Sequence, residues 1–397
     1  MGKQLDLMSL AGIAAENVQV VFLLSTPLQF LNAYEAQYDF GCDPSRTLVV
    51  MTDNHTASNS YHMRKLSASQ GWQHLLILPT ERRRLLARLR LARRSGFISW
   101  FLTCPAAVLR KLLGIPLEQL VVGRSCQNQM KELARSLEHL EYLFIGYFGS
   151  PIMRHFVNSV RASSTYVLEE GVNQLHLYDD IHAEKPKFAR QYYFSPFWNF
   201  MKRIFFGVKL RAPKPLQFYT AYDLQETDKV KIRRNTYTKF RESIRVATQS
   251  EEVYFLGEWL TAWDCCTDED YVDFMKQVKG CYPGRQIIYV PHRRTPRRTE
   301  ECVSQIPDIE VRHLGGPVEL VLGAMAERPK TVAAFFSSAI FNLAMLFGDE
   351  MELKTFKAPI AYPTHEIEHF IEGFYLYTNR YFSDAVRVTV LKGGGAG

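Results

Sequence analysis

Apolar and polar positions alternate along the chain as short continuous apolar runs and longer polar or amphipathic stretches. The runs VQVVFLLS (18–25), TLVVMT (47–52), HLLILP (74–79), YLFIGY (142–147) and TYVLEE (165–170) have strand length and few polar positions, which predicts strands buried on both faces. Thr26 and Pro27 supply an N-cap and a first helical residue for PLQFLNAYEAQ, so the chain opens as strand, turn, helix. The segment QNQMKELARSLEHLE is a further helical or polar connection. Apolar strands alternating with helices predict a parallel sheet covered on both faces.

The order pauses at 228–252, DKVKIRRNTYTKFRESIRVATQSEE, a polar and charged stretch that predicts a domain junction. It then restarts. VYFLG (253–257), QIIYVPH (286–292), IEVRHL (309–314) and TVAAFFSS (331–338) predict strands, and DEDYVDFMKQVKG and PVELVLGAMAER predict helices. A chain of 397 residues is too long for one ordinary core, which also favours two domains. The expected division is an N-terminal Rossmann-like domain over 1–235, a second α/β domain over 250–362, and a segment 363–397. That last segment reads as a helix capped at Pro363 and Thr364, packing back across the domains, with a disordered GGGAG tail. Two α/β domains of similar size facing across a deep cleft form the architecture called GT-B.

Composition narrows the setting. Hydrophobic content of 47% with 22% charge describes a folded, soluble chain. No run of about 20 uninterrupted apolar residues occurs, and MGKQLDLMSLAGIAAEN lacks a basic region followed by a long apolar one, so neither a membrane span nor secretion is expected. Seven cysteines, without a CxxC pair, fit reduced cytosolic thiols. The net charge of +7 is concentrated: from Arg82 to Lys111 there are nine Arg or Lys residues and no acid, with Leu85, Leu86 and Leu89 near helical spacing. Two readings of 82–111 stay open, a basic amphipathic surface lying on anionic lipid and a solvated basic helix or polyanion-binding helix. A second basic and aromatic stretch spans 197–216. No module for reading bases accompanies the charge, so nucleic acid is not an expected partner.

Ligands of open α/β sheets gather at the carboxyl ends of strands, which singles out the residues that follow each run. Glu169 and Glu170 end one strand and Gly171 follows. Adjacent residues on an extended strand point to opposite sides, so one carboxylate at most looks into a given cleft and the other needs a partner of its own. Gly171 permits a positive φ and a close approach, as a turn beside a ligand needs; the plainer reading is an exposed turn. In the second half Gly257 and Glu258, His292 with Arg293 and Arg294, and Ser337 with Ser338 occupy equivalent places. In AAFFSSAIFNLAMLFG two hydroxyls stand where a strand becomes a helix, a turn that suits an anion, although a simple serine N-cap needs only one of them. His292 can hydrogen-bond a phosphate and, protonated, neutralise charge as it departs; alone, it reads as a structural turn residue. Glu319 begins a helix, where it favours the dipole and is also a suitable acceptor for a ribose diol. HEIEH (365–369) satisfies HExxH formally and keeps a zinc peptidase among the alternatives, but only 28 residues follow it to supply a third ligand.

The stretches STPLQFLNAYEA, LEEGVNQ, YVPHRR and PVELVLGAMAERPKTVAAFFSSAIFNL, in that order, resemble the bacterial sialyltransferases of GT-B fold, in particular glycosyltransferase family 52 and the related bacterial polysialyltransferases. The resemblance implies transfer of sialic acid from CMP-sialic acid, with inversion and without a required metal or other cofactor. It implies Glu170 as general base with Glu169 supporting or replacing it, His292 on the CMP phosphate and assisting its departure, Ser337 and Ser338 binding that phosphate, and Glu319 holding the cytidine ribose. Gly257, Glu258 and Arg293 join the donor-binding set. The chain departs from the family where His-Pro is usual and His292-Arg293 stands, which leaves open a CMP donor of another sugar such as Kdo. The expected partners are a CMP-sugar donor, a glycan or glycolipid acceptor (lipooligosaccharide, lipopolysaccharide or capsule) and an anionic membrane surface met by 82–111, with room for a homodimer. The expected place is the cytoplasm, peripheral on the inner face of the bacterial inner membrane. The chemistry is consistent without the analogy: a sugar hydroxyl must lose its proton as it attacks, which calls for one carboxylate, whereas an anionic leaving group calls for fixed donors.

Overall fold

The computed structural model describes residues 12–52, 72–78, 129–183 and 215–392. The expectations for the basic segment 82–111, for most of 197–216 and for the GGGAG tail fall outside these residues. The chain divides into two compact units. Unit 1 comprises Met1–Glu170, Asp179–Thr220 and Leu224–Asn235; unit 2 comprises Gly171–Tyr178, Ala221–Asp223 and Thr236–Gly397.

Unit 1 contains β1 (Val20–Leu24), α1 (Pro27–Asp39), β2 (Thr47–Thr52), β3 (His74–Leu78), β4 (His139–Ile145), α2 (Pro151–Val157) and β5 (Arg161–Leu168), followed by β6 (Leu216–Thr220) and β7 (Val230–Arg234). The strands form one sheet in the order β3-β2-β1-β4-β5-β6-β7, parallel throughout. β1 and β2 are buried at every position, as strands covered on both faces require. Register sets an aromatic ladder across the middle of the sheet. Phe22 lies opposite Phe144 and Phe144 opposite Tyr166, with ring centroids 4.5 and 5.6 Å apart and planes 10° and 20° apart. Phe40, at the end of α1, closes on Phe144 and Tyr166 edge-on. α1 starts as its sequence predicts: Thr26 accepts from the Gln29 amide and Pro27 takes the first helical position.

The helix α3 (Val172–His182) begins in unit 2 and ends in unit 1. Unit 2 continues with α4 (Thr238–Ser243), β8 (Thr248–Leu256), α5 (Asp268–Gly280), β9 (Ile287–Val290), α6 (Arg297–Val303), β10 (Ile309–Val311) and α7 (Val318–Ala324). It ends with β11 (Glu327–Ala334), α8 (Ala339–Phe347), β12 (Glu352–Lys357), α9 (His365–Tyr381) and β13 (Val386–Val390). Its sheet runs β10-β9-β8-β11-β12-β13, again all parallel. Numbered from the first strand of its own sheet, each unit reads 3-2-1-4-5-6, and unit 1 adds a seventh strand at the edge. This is the doubly wound Rossmann order, so the α/β class and the two Rossmann-like units expected from the sequence are present. The order reverses between β1 and β4 in unit 1 and between β8 and β11 in unit 2.

Four strands escape the apolar-run reading. β7 (VKIRR) and α4 lie inside the polar stretch 228–252 taken as a junction. β7 is an edge strand with Lys231, Arg233 and Arg234 exposed, and an edge is a place where charge is tolerated. β13 is the opposite case of the same effect: segment 363–397, expected as a helix plus a tail, also supplies the edge strand of the second sheet. β6 and β12 carry polar residues that mask their burial. The helix expected over 317–328 stops at Ala324, because β11 already starts at Glu327. Among the described residues no helix is long and apolar enough to cross a membrane.

The core of unit 2 stacks Phe341 of α8 between Phe374 of α9 and Phe382, with centroids 4.7 and 4.4 Å apart and both pairs within 7° of parallel. Phe341 is fully buried. Truncation removes both stacks and leaves a cavity, so Phe341→Ala is expected to destabilise unit 2 by about 3–5 kcal/mol. Urea unfolding followed by circular dichroism measures it, and a shift below 1 kcal/mol, within about the range of a surface substitution, contradicts the packing described.

Candidate functional site

In unit 1 the acid pair is split by strand alternation. Glu169 is fully buried. Its carboxylate accepts from the Thr220 hydroxyl at 2.9 Å, and its backbone carbonyl accepts from the Asn32 side-chain amide at 3.1 Å. Asn32 in turn accepts at Oδ1 from the Asn235 amide at 3.0 Å. Glu170 is half-buried and turned toward the start of α1, where Oε2 accepts a short hydrogen bond from Gln29 Nε2 and a longer one, 3.4 Å, from the Thr26 hydroxyl. Glu169 therefore ties the loop to β6 through its carboxylate and to α1 through its carbonyl, and the neighbouring carboxylate is held by Gln29 and Thr26.

The next residue, Gly171, has φ of +56°. A side chain there is excluded twice, by the left-handed backbone and by space: a Cβ would lie 3.1 Å from both Cβ and Oγ of Ser338. Gly171 and Ser338 both belong to unit 2.

Ser337 and Ser338 stand between β11 and α8 in unit 2. Ser338 makes no side-chain capping bond to α8, so the simple N-cap reading does not describe it. The Ser337 hydroxyl donates to the carboxylate of Glu258, which follows β8 on the other side of the strand-order reversal. Glu258 is buried, and loss of water raises its pKa to about 8, against which the Ser337 bond acts only partly. It is accordingly protonated and neutral at pH 7, and does not repel an anion at the serine turn. Its backbone N–H donates to the Tyr271 hydroxyl at 3.1 Å, which pairs with the Tyr289 hydroxyl at 2.9 Å. Gly257 is the residue that admits this pair, since a Cβ there would overlap the Tyr289 hydroxyl.

His292 follows β9. Its ring stacks on Trp259 with centroids 5.3 Å apart, and the Arg294 guanidinium lies 4.2 Å from the centre of the same indole. The Arg294 backbone N–H donates to His292 Nδ1 at 3.2 Å, which leaves the proton of the neutral ring on Nε2 as a donor. Burial, and then the charges of Arg293 and Arg294, lower the His292 pKa to about 4. Of the two roles the sequence left open for His292, hydrogen bonding and, when protonated, charge neutralisation, the lowered pKa leaves a neutral ring at pH 7, and the positive charge of the loop is on Arg293 and Arg294. Arg293 is exposed. Glu319, early in α7, is buried with a raised pKa due first to loss of water, and accepts from the Asn342 side-chain amide of α8 at 2.7 Å.

Several contributors carry no strand-end signal. Gln29 and Thr26 fall in the quoted STPLQ stretch but read there only as helix start. Tyr271, Tyr289, Trp259 and Asn342 look like core residues in sequence, and Asn32 and Thr220 become partners of Glu169 only through strand order. The HExxH pair separates: His365 is exposed beside Glu368, 3.0 Å away, while His369 packs 4.8 Å from the His176 ring. His176 is buried, accepts or donates at Nδ1 with the Tyr377 hydroxyl at 3.1 Å, and is held neutral by burial and by His369 with a pKa of about 3. Among the described residues no group of three or more His, Cys, Asp or Glu side chains could hold a metal ion.

Two shifted groups of unit 2 have opposite consequences for stability. His292 takes up its proton near pH 6.5 when unfolded and near 4 when folded, so it destabilises the fold as pH falls from 6.5 to 4. Glu258 loses its proton near 4.5 when unfolded and near 8 when folded, so it destabilises the fold as pH rises from 4.5 to 8. Glu258→Gln, which mimics the neutral form, is expected to raise the melting temperature at pH 8.5 and to leave it unchanged at pH 5. Thermal unfolding at the two pH values measures this, and an equal change at both contradicts a neutral Glu258.

No protein-family model matches the sequence, and no curated protein matches it. Similar solved structures include MurG of Acinetobacter baumannii (8% identity, TM-score 0.39, covering 94% of this chain and 85% of that one). Another is UGT89C1 of Arabidopsis thaliana in complex with UDP-L-rhamnose (10% identity, TM-score 0.47, covering 94% and 86%). A third is a sialyltransferase from Photobacterium damsela (11% identity, TM-score 0.44, covering 94% and 81%).

Proposed function

We propose that this chain is a metal-independent, inverting glycosyltransferase of GT-B type that moves sialic acid from CMP-sialic acid to a hydroxyl of a bacterial surface glycan, lipooligosaccharide, lipopolysaccharide or capsule. The observation that carries the reading is the contact of Gly171 with Ser338 inside unit 2. Glu170, the candidate base, is the residue bonded to Gly171, and Ser338 belongs to the candidate phosphate turn. Two motifs far apart in sequence, chosen for opposite halves of one reaction, thus share a point of contact one residue from the base.

In the proposed reaction the acceptor hydroxyl gives its proton to Glu170 as its oxygen bonds to the anomeric carbon. The bond from that carbon to the phosphate oxygen breaks, and CMP leaves with the electron pair. Ser338 and the Nε2–H of His292 supply donors for the phosphate, Ser337 joins them when the protonated Glu258 donates to its oxygen and frees its hydroxyl proton, and Arg293 adds charge. Because Glu258 is neutral, the serine turn gains no opposing charge. Glu319, Gly257 and Glu258 complete the donor site, Glu319 toward the ribose. In this reading the protein works at the cytoplasmic face of the inner membrane, which the basic sequence of 82–111 would suit. The second reading, transfer of Kdo from its CMP donor, is favoured by one feature, Arg293 where the resembling family usually has proline.

A thermal-shift screen of CMP, UDP and GDP comes first, and stabilisation by CMP alone is expected. Incubation in EDTA with CMP-sialic acid or CMP-Kdo and galactose-terminated acceptors then identifies the sugar. Glu170→Gln is expected to retain CMP binding and to lose transfer by about 10²-fold or more, the scale of general-base catalysis. Full activity in that variant removes Glu170 as the base, and stabilisation by UDP or GDP in place of CMP rejects the donor assignment. Addition of CMP should also lift the His292 pKa above its value of about 4, because an anion stabilises the protonated ring; proton NMR of the histidine reads it.

A further inference from the structure

Gln29 is fully buried in the first turn of α1, an unusual place for a primary amide unless each end has a partner. The Ser25 backbone N–H donates to Gln29 Oε1 at 2.7 Å, and the Ser25 hydroxyl is 3.1 Å from the same oxygen. A backbone N–H can only donate, so the oxygen end of the amide is fixed on Ser25 and the NH2 end is directed away from it. That NH2 meets Oε2 of Glu170. The Thr26 hydroxyl accepts from the Gln29 backbone N–H at 3.3 Å and donates to the same carboxylate oxygen. Gly146, directly after β4, makes the space: a Cβ there would overlap Oε1 and Cδ of Gln29. All of these residues lie in unit 1.

We infer that Gln29 is the positioning residue of the general base: it anchors the Glu170 carboxylate by one oxygen and so fixes the orientation of that group toward the acceptor hydroxyl. The inference rests on the reading of Glu170 as base. An amide suits the task because it donates to the carboxylate without taking up a proton itself, so the acceptor's proton stays on Glu170. Ser25 prevents the amide from flipping, which would place an oxygen against the carboxylate and repel it.

The test uses the full chain. Gln29→Met keeps the volume and removes the donor, and Gly146→Ala displaces the same amide from β4. Each is expected to lower kcat about 10²-fold, the scale of a misplaced reacting group, with KM for the CMP sugar and Kd for CMP unchanged. An unchanged kcat in a folded Gln29→Met protein overturns the inference. A fall in CMP affinity matching the fall in kcat also overturns it, since that is the pattern of general disruption. Should Gln29→Met fail to fold, Gly146→Ala decides by the same criteria. A second measurement needs no turnover: in protein labelled with 15N-glutamine, the Gln29 side-chain amide should exchange slowly with solvent and lose that protection in Glu170→Ala. An amide indifferent to Glu170→Ala overturns the contact. A protected amide in a protein that transfers nothing from any CMP sugar upholds the contact and rejects the proposed reaction.

Discussion

Glu169 is a carboxylate with no access to solvent, and the first sheet is arranged so that it does not remain unsatisfied. Burying such a group costs several kcal/mol unless fixed donors replace water. Parallel order provides them: β6 lies beside β5 and brings Thr220 to the carboxylate, while α1 brings Asn32 to the backbone carbonyl. Asn235, just past β7, holds Asn32 and also donates its backbone N–H to Thr220 O at 2.8 Å. Glu169 thus joins β5 to β6 through its carboxylate and to α1 through its carbonyl, and Asn32 carries the link to Asn235 at the exit from β7. With Glu169 fixed inward, alternation turns Glu170 the other way, toward Thr26 and Gln29, so the geometry of the candidate base follows from the burial of its neighbour.

Unit 2 reaches a comparable result with a different balance of charge. Its strand ends hold a buried Glu258, a neutral His292 and two hydroxyls, and the formal positive charge sits on Arg293 and Arg294. Such a set is poor at carrying protons and well suited to receiving an anion, because its groups are donors or neutral. The two tyrosine hydroxyls beneath Gly257 keep the loop after β8 in place, and Trp259 does the same for His292 and Arg294. In the proposed reaction, proton acceptance falls to a carboxylate of unit 1 and stabilisation of the leaving group to fixed donors of unit 2.

Much of this was legible because it depends on local chemistry. Central strands such as β1 and β2 announce themselves as apolar runs, and the capped start of α1 by Thr26 and Pro27. The asymmetry of Glu169 and Glu170 and the positive φ of Gly171 follow from strand alternation and from the residue type. What was not legible depends on neighbours distant in sequence. β7 and β13 are edge strands and need only one covered side, so their alternation is diluted by charge. The lowered pKa of His292 was not legible, because burial and two arginines act on it together, and burial cannot be read from PHRR. Gln29 read only as part of a helix start; the absence of a side chain at Gly146 makes room for it inside.

The peptide between Glu170 and Gly171 is where these constraints meet. Glu170 takes the hydrogen bonds of its Oε2 from Thr26 and Gln29 of unit 1, and Gly171 is packed on Ser338 of unit 2. A residue with a side chain at 171 would pay about 1–2 kcal/mol for the left-handed backbone and would also press on the serine turn. Glycine is therefore required at 171 both by its backbone conformation and by the nearness of Ser338.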